Sequence, residues 1–358
     1  MGKRYDIVFI VFMCLGVFNL LSCSKGDFYP EREEAYVTLR ANFSSASQDV
    51  NVLGAAEYAF RSVRMYAFDG NKLDTMVYRS LKNVTELDTI RAHVTQTSDK
   101  TLYVIANEPA SMYETLNRVA TPAQLSGIEY QIADYMEKEA FNTDASFGAE
   151  AFSVPMFGSV KNISTIQRTE GDIEVSVALT RALARVDVYL QREESSDDMA
   201  RVTVDGSTTL SIRNTCDSGY LLPDRIAKSS TDKEDIVSGP GSAVEVPEQI
   251  GEGRSAARRF FSFYTPEYDC SERTLGFDLR GVMITNGNGT NRRNFEVTLM
   301  EGETPLKKIE RNHVYQVYAT FASIGDGKIQ LQPEITITDW INAADTATIL
   351  RPKPVPVN

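Results

Sequence analysis

Apolar and polar residues alternate in short runs along most of this chain, and that period of two constrains its fold more than any other feature. In Ile173-Glu174-Val175-Ser176-Val177-Ala178-Leu179 every second side chain is apolar. The same spacing links Ala35, Val37, Leu39, Ala41 and Phe43, and it returns in Val63-Arg64-Met65-Tyr66-Ala67-Phe68 and Arg185-Val186-Asp187-Val188-Tyr189-Leu190. Successive side chains of a strand point to opposite faces, so such a run buries one face and wets the other. Comparable segments fall at 152–160, 201–204, 208–212, 260–264, 275–283, 294–300, 314–321 and 335–340. Thr101-Leu102-Tyr103-Val104-Ile105-Ala106-Asn107 is apolar on both faces, as a fully buried strand is. Asp69-Gly70-Asn71 and Asn286-Gly287-Asn288-Gly289 supply turns between runs. Many short strands with turn signals predict β-sandwiches. One helix is predicted, over residues 121–139: Thr121 caps it, Pro122 takes its first position, and Leu125, Ile128, Ile132, Tyr135 and Met136 share a face. Residues 229–254, rich in Ser, Gly, Asp and Glu, predict a long surface loop.

The N-terminus carries an export signal. Lys3 and Arg4 precede an apolar run from Ile7 to Leu21, too short for a comfortable membrane span and interrupted by Asn19. It ends Leu20-Leu21-Ser22-Cys23, which resembles the bacterial lipobox; the resemblance implies cleavage between Ser22 and Cys23 and acylation of Cys23. An ordinary signal peptide and an uncleaved anchor helix are the other readings of the segment. Residues 23–34 then form a polar tether.

The length of 358 residues predicts two domains. We place the boundary at the link 180–185, giving domains over 35–182 and 183–340 and a tail over 341–358. The formal net charge of −12 argues against a phosphate backbone as partner, so no nucleic acid is expected. It also leaves membrane attachment to lipid on Cys23. Cys216 and Cys270 remain as an even pair in an exported chain: a disulfide, or two buried thiols.

The residues that carry chemistry are sparse. His93 and His313 are the only histidines, in different halves, and neither has Cys or carboxylates around it at metal-ligand spacing. No nucleophile elbow, phosphate loop or dinucleotide fingerprint is present. Asp187, flanked by Arg181 and Arg185, predicts a structural ion pair. No catalytic residue, metal or cofactor is expected, and no enzyme.

Several segments together resemble the fimbrillins, subunits of the type V pilus of anaerobic Gram-negative bacteria. They are the lipobox, Tyr103-Val104-Ile105-Ala106-Asn107, Pro155-Met156-Phe157-Gly158, Leu179-Thr180-Arg181-Ala182-Leu183-Ala184-Arg185-Val186, Lys308-Ile309-Glu310-Arg311-Asn312-His313-Val314-Tyr315, and Ile337-Thr338-Asp339-Trp340. The resemblance implies a mostly β chain of two transthyretin-like β-sandwich domains, with one or two short helices in the first. It implies a lipoprotein of the outer membrane and a fimbrial, adhesive role. In that family an arginine-specific protease removes the first strand, and a neighbouring subunit's strand fills the groove. Here the removable strand is Ala35, Val37, Leu39, Ala41 and Phe43, and the candidate donor is the tail with Ala347, Ile349 and Leu350. Residues 351–356, Arg-Pro-Lys-Pro-Val-Pro, cannot donate ladder bonds at the prolines and predict an extended spur. The chain departs from the family in one respect: no Lys or Arg occurs between Ala41 and Phe60. Shaft, tip and anchor roles stay open on this reading, and the adhesion target is unknown. The alternative is a monomeric outer-membrane lipoprotein that binds carbohydrate or a host ligand.

Overall fold

In the computed structural model the described residues are 34–40, 60–84, 90–132, 154–166, 173–194, 199–228, 235–250, 254–325 and 327–340. Ser22, Cys23, the tether except Glu34, Ala41, Phe43 and the tail with Ala347, Ile349 and Leu350 lie outside them, and Glu34, expected as the end of the tether, opens the first strand.

The architecture is mostly β. The first half holds β1 (Glu34–Arg40), β2 (Phe60–Asp69), β3 (Lys72–Val84), β4 (Ile90–Thr95), β5 (Lys100–Ala106), β6 (Glu129–Gln131), β7 (Met156–Ile163), β8 (Ile173–Ser176) and β9 (Thr180–Arg181). A three-stranded sheet has the order β4-β1-β8 and a five-stranded sheet the order β3-β2-β5-β7-β9. Val37, Ile90, Val94 and Val175 of the smaller sheet share one apolar core with Val63, Met65, Val104 and Met156 of the larger. Two short helices, Tyr113–Asn117 and Pro122–Ser126, add Leu116 and Leu125.

The second half holds β10 (Leu183–Arg192), β11 (Arg201–Val204), β12 (Thr209–Arg213), β13 (Ser218–Tyr220), β14 (Ala227–Lys228), β15 (Asp235–Ser238), β16 (Val244–Glu245), β17 (Arg258–Pro266), β18 (Tyr268–Asp269), β19 (Gly276–Asn286) and β20 (Gly289–Thr298). They are followed by β21 (Met300–Glu301), β22 (Thr304–Pro305), β23 (Lys308–Ile309), β24 (His313–Gly325) and β25 (Lys328–Asp339). One sheet runs β17-β10-β24-β25 and another β15-β12-β19-β11-β16, with β20 on the far side of β19. Val186, Val188, Phe261, Val317 and Phe321 meet Ile212, Phe277, Leu279 and Val297 in a second core.

The chain passes from one set of sheets to the other at Ala182: β9 pairs with β7, and β10 pairs with β17 and β24. The halves are also stitched by the β6–β13 ladder, and Leu183, Tyr264, Val314 and Trp340 join the first core from the second half.

Two expectations are corrected. The helix predicted over 121–139 is interrupted: Pro122–Ser126 is helical, Glu129–Gln131 is a strand, and Ile132 is helical again. Its start is as expected, a capping box between Thr121 and Gln124 with proline inside the first turn. It stops at Gly127, and Glu129–Gln131 becomes a strand because it finds a ladder partner in β13; tertiary pairing overrides a helical spacing of isoleucines. Residues beyond 132 in that prediction lie outside those described. The stretch 229–254, expected as loop, contains β15 and β16, which extend the sheet at β12 and β11.

Candidate functional site

Strand β1 is the middle strand of its sheet. On one side it is antiparallel to β4, with Ala35 opposite Val94, Val37 opposite Ala92 and Leu39 opposite Ile90. On the other it is parallel to β8, with Val37 opposite Ile173 and Leu39 opposite Val175. Val37 is fully buried, and Ile90, Ala92, Val94 and Val175 are buried around its row. No tight turn joins β1 to either neighbour. Among the described elements β1 is the first in the chain, so β2 to β25 follow one another in sequence without it. Taking β1 away would open the N–H and C=O groups of two strand edges above an apolar floor.

Both walls of that slot are pinned from behind. At the end of β4, Thr95 donates through its backbone N–H and its hydroxyl to the Asp74 carboxylate, at 2.8 and 2.9 Å. Lys100, fully buried, reaches Asp74 at 2.9 Å and the Thr95 hydroxyl at 3.0 Å. Burial pulls the Asp74 carboxyl upward, but the bonds from Lys100 and Thr95 outweigh it and hold the group below its ordinary value. Beyond β8, Val177 and Leu179 are buried, and the Ala178 carbonyl lies where a Cβ on Gly158 of β7 would stand. Only glycine lets β7 approach the β8–β9 link this closely.

That link leads to the root of the tail. Arg181 of β9 stands 4.8 Å from the ring centroid of Trp340 and donates to the Trp340 carbonyl at 3.4 Å. Arg185 lies 5.4 Å from the same ring, and Tyr264 stacks on it at 5.8 Å. The backbone N–H of Trp340 donates to the Asn312 carbonyl at 2.7 Å, and the backbone N–H of Asn312, at φ 59°, donates to the Leu183 carbonyl at 2.8 Å. Trp340 is 1% exposed, so the single tryptophan of the chain offers no stacking surface to a ligand. The ion pair expected at Asp187 forms with Arg185 at 2.9 Å, with the Ser262 hydroxyl donating to the second oxygen at 2.6 Å. Arg181 turns to Trp340 instead. Beside the junction Arg311 pairs with Glu267 at 2.6 Å and donates to the carbonyls of Tyr220 and Leu221.

Cys216 and Cys270 are buried free thiols. The first donates to the Ser218 carbonyl at 3.0 Å, the second to the Leu306 carbonyl at 3.1 Å, and burial pushes the Cys270 thiol up. The structure therefore takes the second of the two alternatives left by sequence. His313 opens β24, its Nδ1 2.8 Å from the Arg311 carbonyl and its Nε2 3.2 Å from Asp339. Sequence reading did not find the Asp74–Lys100 pair. Their spacing carries no motif, and β4, whose Ile90-Arg91-Ala92-His93-Val94 alternates plainly, is the signal that would have located the slot's wall.

No protein-family model matches the chain, and no curated protein matches its sequence. Solved structures do match its fold. A protein assigned to cell adhesion from Parabacteroides distasonis superposes with a TM-score of 0.60 at 13% identity, over 86% of this chain and 97% of that one. A fimbrilin (FimA) from Porphyromonas gingivalis W83 gives 0.56 at 10% identity, over 86% and 98%. The tip fimbrial protein Mfa3 of Porphyromonas gingivalis, with a C-terminal truncation, gives 0.54 at 13%, over 86% and 100%. Identities this low speak to architecture alone, and on that ground the chain has the fold of the fimbrillins.

Proposed function

We propose that the chain is a structural subunit of a cell-surface pilus, exported as a lipoprotein on Cys23 and joined to neighbouring subunits by β-strand complementation, in support of adhesion. Its partners on this reading are other pilus subunits and, through the lipid, the outer membrane. The observation that carries the proposal is the placement of β1: a middle strand held by two ladders above a buried apolar row, yet first in chain order among the described strands. A strand from another subunit with apolar residues at alternate positions satisfies the same groups. The tail with Ala347, Ile349 and Leu350 is the proposed donor. The two cores and the change of sheet at Ala182 support a division into domains over 35–182 and 183–340.

Processing decides the position in the fibre. Arg40 lies inside β1 opposite Ser176, and Arg61 is the second residue of β2. A protease specific for basic residues thus meets no target between the two strands, which favours a subunit that keeps β1, as an anchor does. Mass spectrometry of the native N-terminus tests this. An acylated peptide beginning at Cys23, with β1 retained in outer membranes, is the expected result. A new N-terminus at or beyond Ala41 in sheared fibres would instead make the chain a polymerising shaft subunit. An unacylated N-terminus elsewhere in the signal segment would overturn the lipoprotein assignment.

A further inference from the structure

The tip of the β19–β20 hairpin holds Asn286-Gly287-Asn288-Gly289, the only two Asn-Gly pairs in the chain. Residues 287–290 are exposed, and nothing lies within 4 Å of where a Cβ on Gly287 would stand. The backbone N–H of Asn288 donates to Asn286 Oδ1 at 3.0 Å. We propose that Asn286 is a self-modifying site, converted to aspartate and isoaspartate with water as the sole co-reactant.

The Gly287 backbone nitrogen attacks Asn286 Cγ. A bond forms between them, the Cγ–Nδ2 bond breaks, and the proton of the Gly287 amide goes to the departing nitrogen, which leaves as ammonia. Water then adds to either carbonyl of the resulting five-membered imide. Opening at one side gives aspartate and at the other isoaspartate. No oxidation state changes.

Three features of the turn favour the step. Glycine has no Cβ to shield its nitrogen and lets the backbone rotate toward Cγ. The turn is open to water. The Asn288 N–H already rests on the oxygen that becomes negative as Cγ turns tetrahedral, the geometry of an oxyanion donor. That donor distinguishes Asn286 from Asn288, whose side-chain oxygen has none among the described residues. Asn294, by contrast, accepts from the Gly281 N–H at 2.9 Å but is followed by Phe295, whose side chain is packed in the second core. Residues 281–291 carry no charged side chain. Conversion therefore places a carboxylate on a neutral tip, and isoaspartate adds a backbone carbon next to the Asn286–Gly289 pair that closes the ladder. On a surface chain this marks age.

Peptide mapping of the whole chain held at 37 °C and mildly alkaline pH tests the proposal, with isoaspartate detected by enzymatic methyl labelling. Asn286 should lose its amide before Asn288 and well before Asn294. Gly287→Ala, at an exposed site with room for the methyl group, should slow the loss by about tenfold. The proposal is overturned if Asn286 keeps its amide as long as Asn294 does, or if Asn288 converts first. Both comparisons are made within the unaltered protein and need no variant to fold.

Discussion

A methyl group on Gly158 would overlap the Ala178 carbonyl oxygen and crowd Val177 Cγ1 at 2.7 Å. Backbone cannot yield as a side-chain end can, so Gly158→Ala should lower unfolding free energy by at least about 2 kcal/mol in urea titration. Arg64 shows the opposite kind of constraint. It is fully buried on β2, held by both Glu108 oxygens at 2.6 and 2.7 Å and by Asn117 at 2.6 Å, beneath the rings of Tyr78 and Tyr113. Arg64→Leu strands the Glu108 charge and should cost about 3–5 kcal/mol, and adding Glu108→Leu should restore part of it. The Asp74–Lys100 pair makes a prediction in pH. The folded carboxyl titrates below its unfolded value of about 3.9, so its contribution is present above that value and is lost as pH falls from there through the lowered folded value. Asp74→Asn should therefore weaken the protein at neutral pH and flatten the acid limb of its stability curve.

At the scale of elements, the alternating runs were legible in sequence because burial on one face writes itself into every second residue. The alternation over 201–204 coincides with β11 to the residue, and Asn286 and Gly289 mark the β19–β20 hairpin. What sequence did not disclose is pairing. Strand β1 is parallel to β8 although most of the first half lies between them, and Glu129–Gln131 is a strand only because β13 lies beside it. The segments that suggested the family prove to be joints. Asn107, at φ 61°, accepts from the Arg61 N–H and donates to the Val154 carbonyl, both at 2.8 Å, sewing the end of β5 to its neighbours. Arg311 and Asn312 tie the start of β24 to Leu221 and Leu183, second-half residues that pack in the first core. If the tail is a donor and not part of the body, deleting residues 341–358 should leave the fluorescence of Trp340 and the melting temperature unchanged while abolishing entry into fibres. Normal incorporation of the truncated chain would remove the tail from that role.

At the scale of the whole molecule, two cores meet across a junction of arginines around one buried tryptophan, and the slot of β1 and the root of the tail flank the same β8–β9 link. On the proposed reading such a body lends its tail to a neighbour while β1 stays in its slot, and it accepts a strand in turn only where β1 is removed. Such a joint dissociates slowly, because every backbone bond in it must break together. The direct test is electrophoresis in dodecyl sulfate, without heating, of surface fibres sheared from cells that make this chain, with detection of the chain itself. A ladder of species that collapses to monomer on boiling is the predicted result. Monomer alone before boiling, in fibres that contain the chain, would contradict strand complementation as the means by which it is joined.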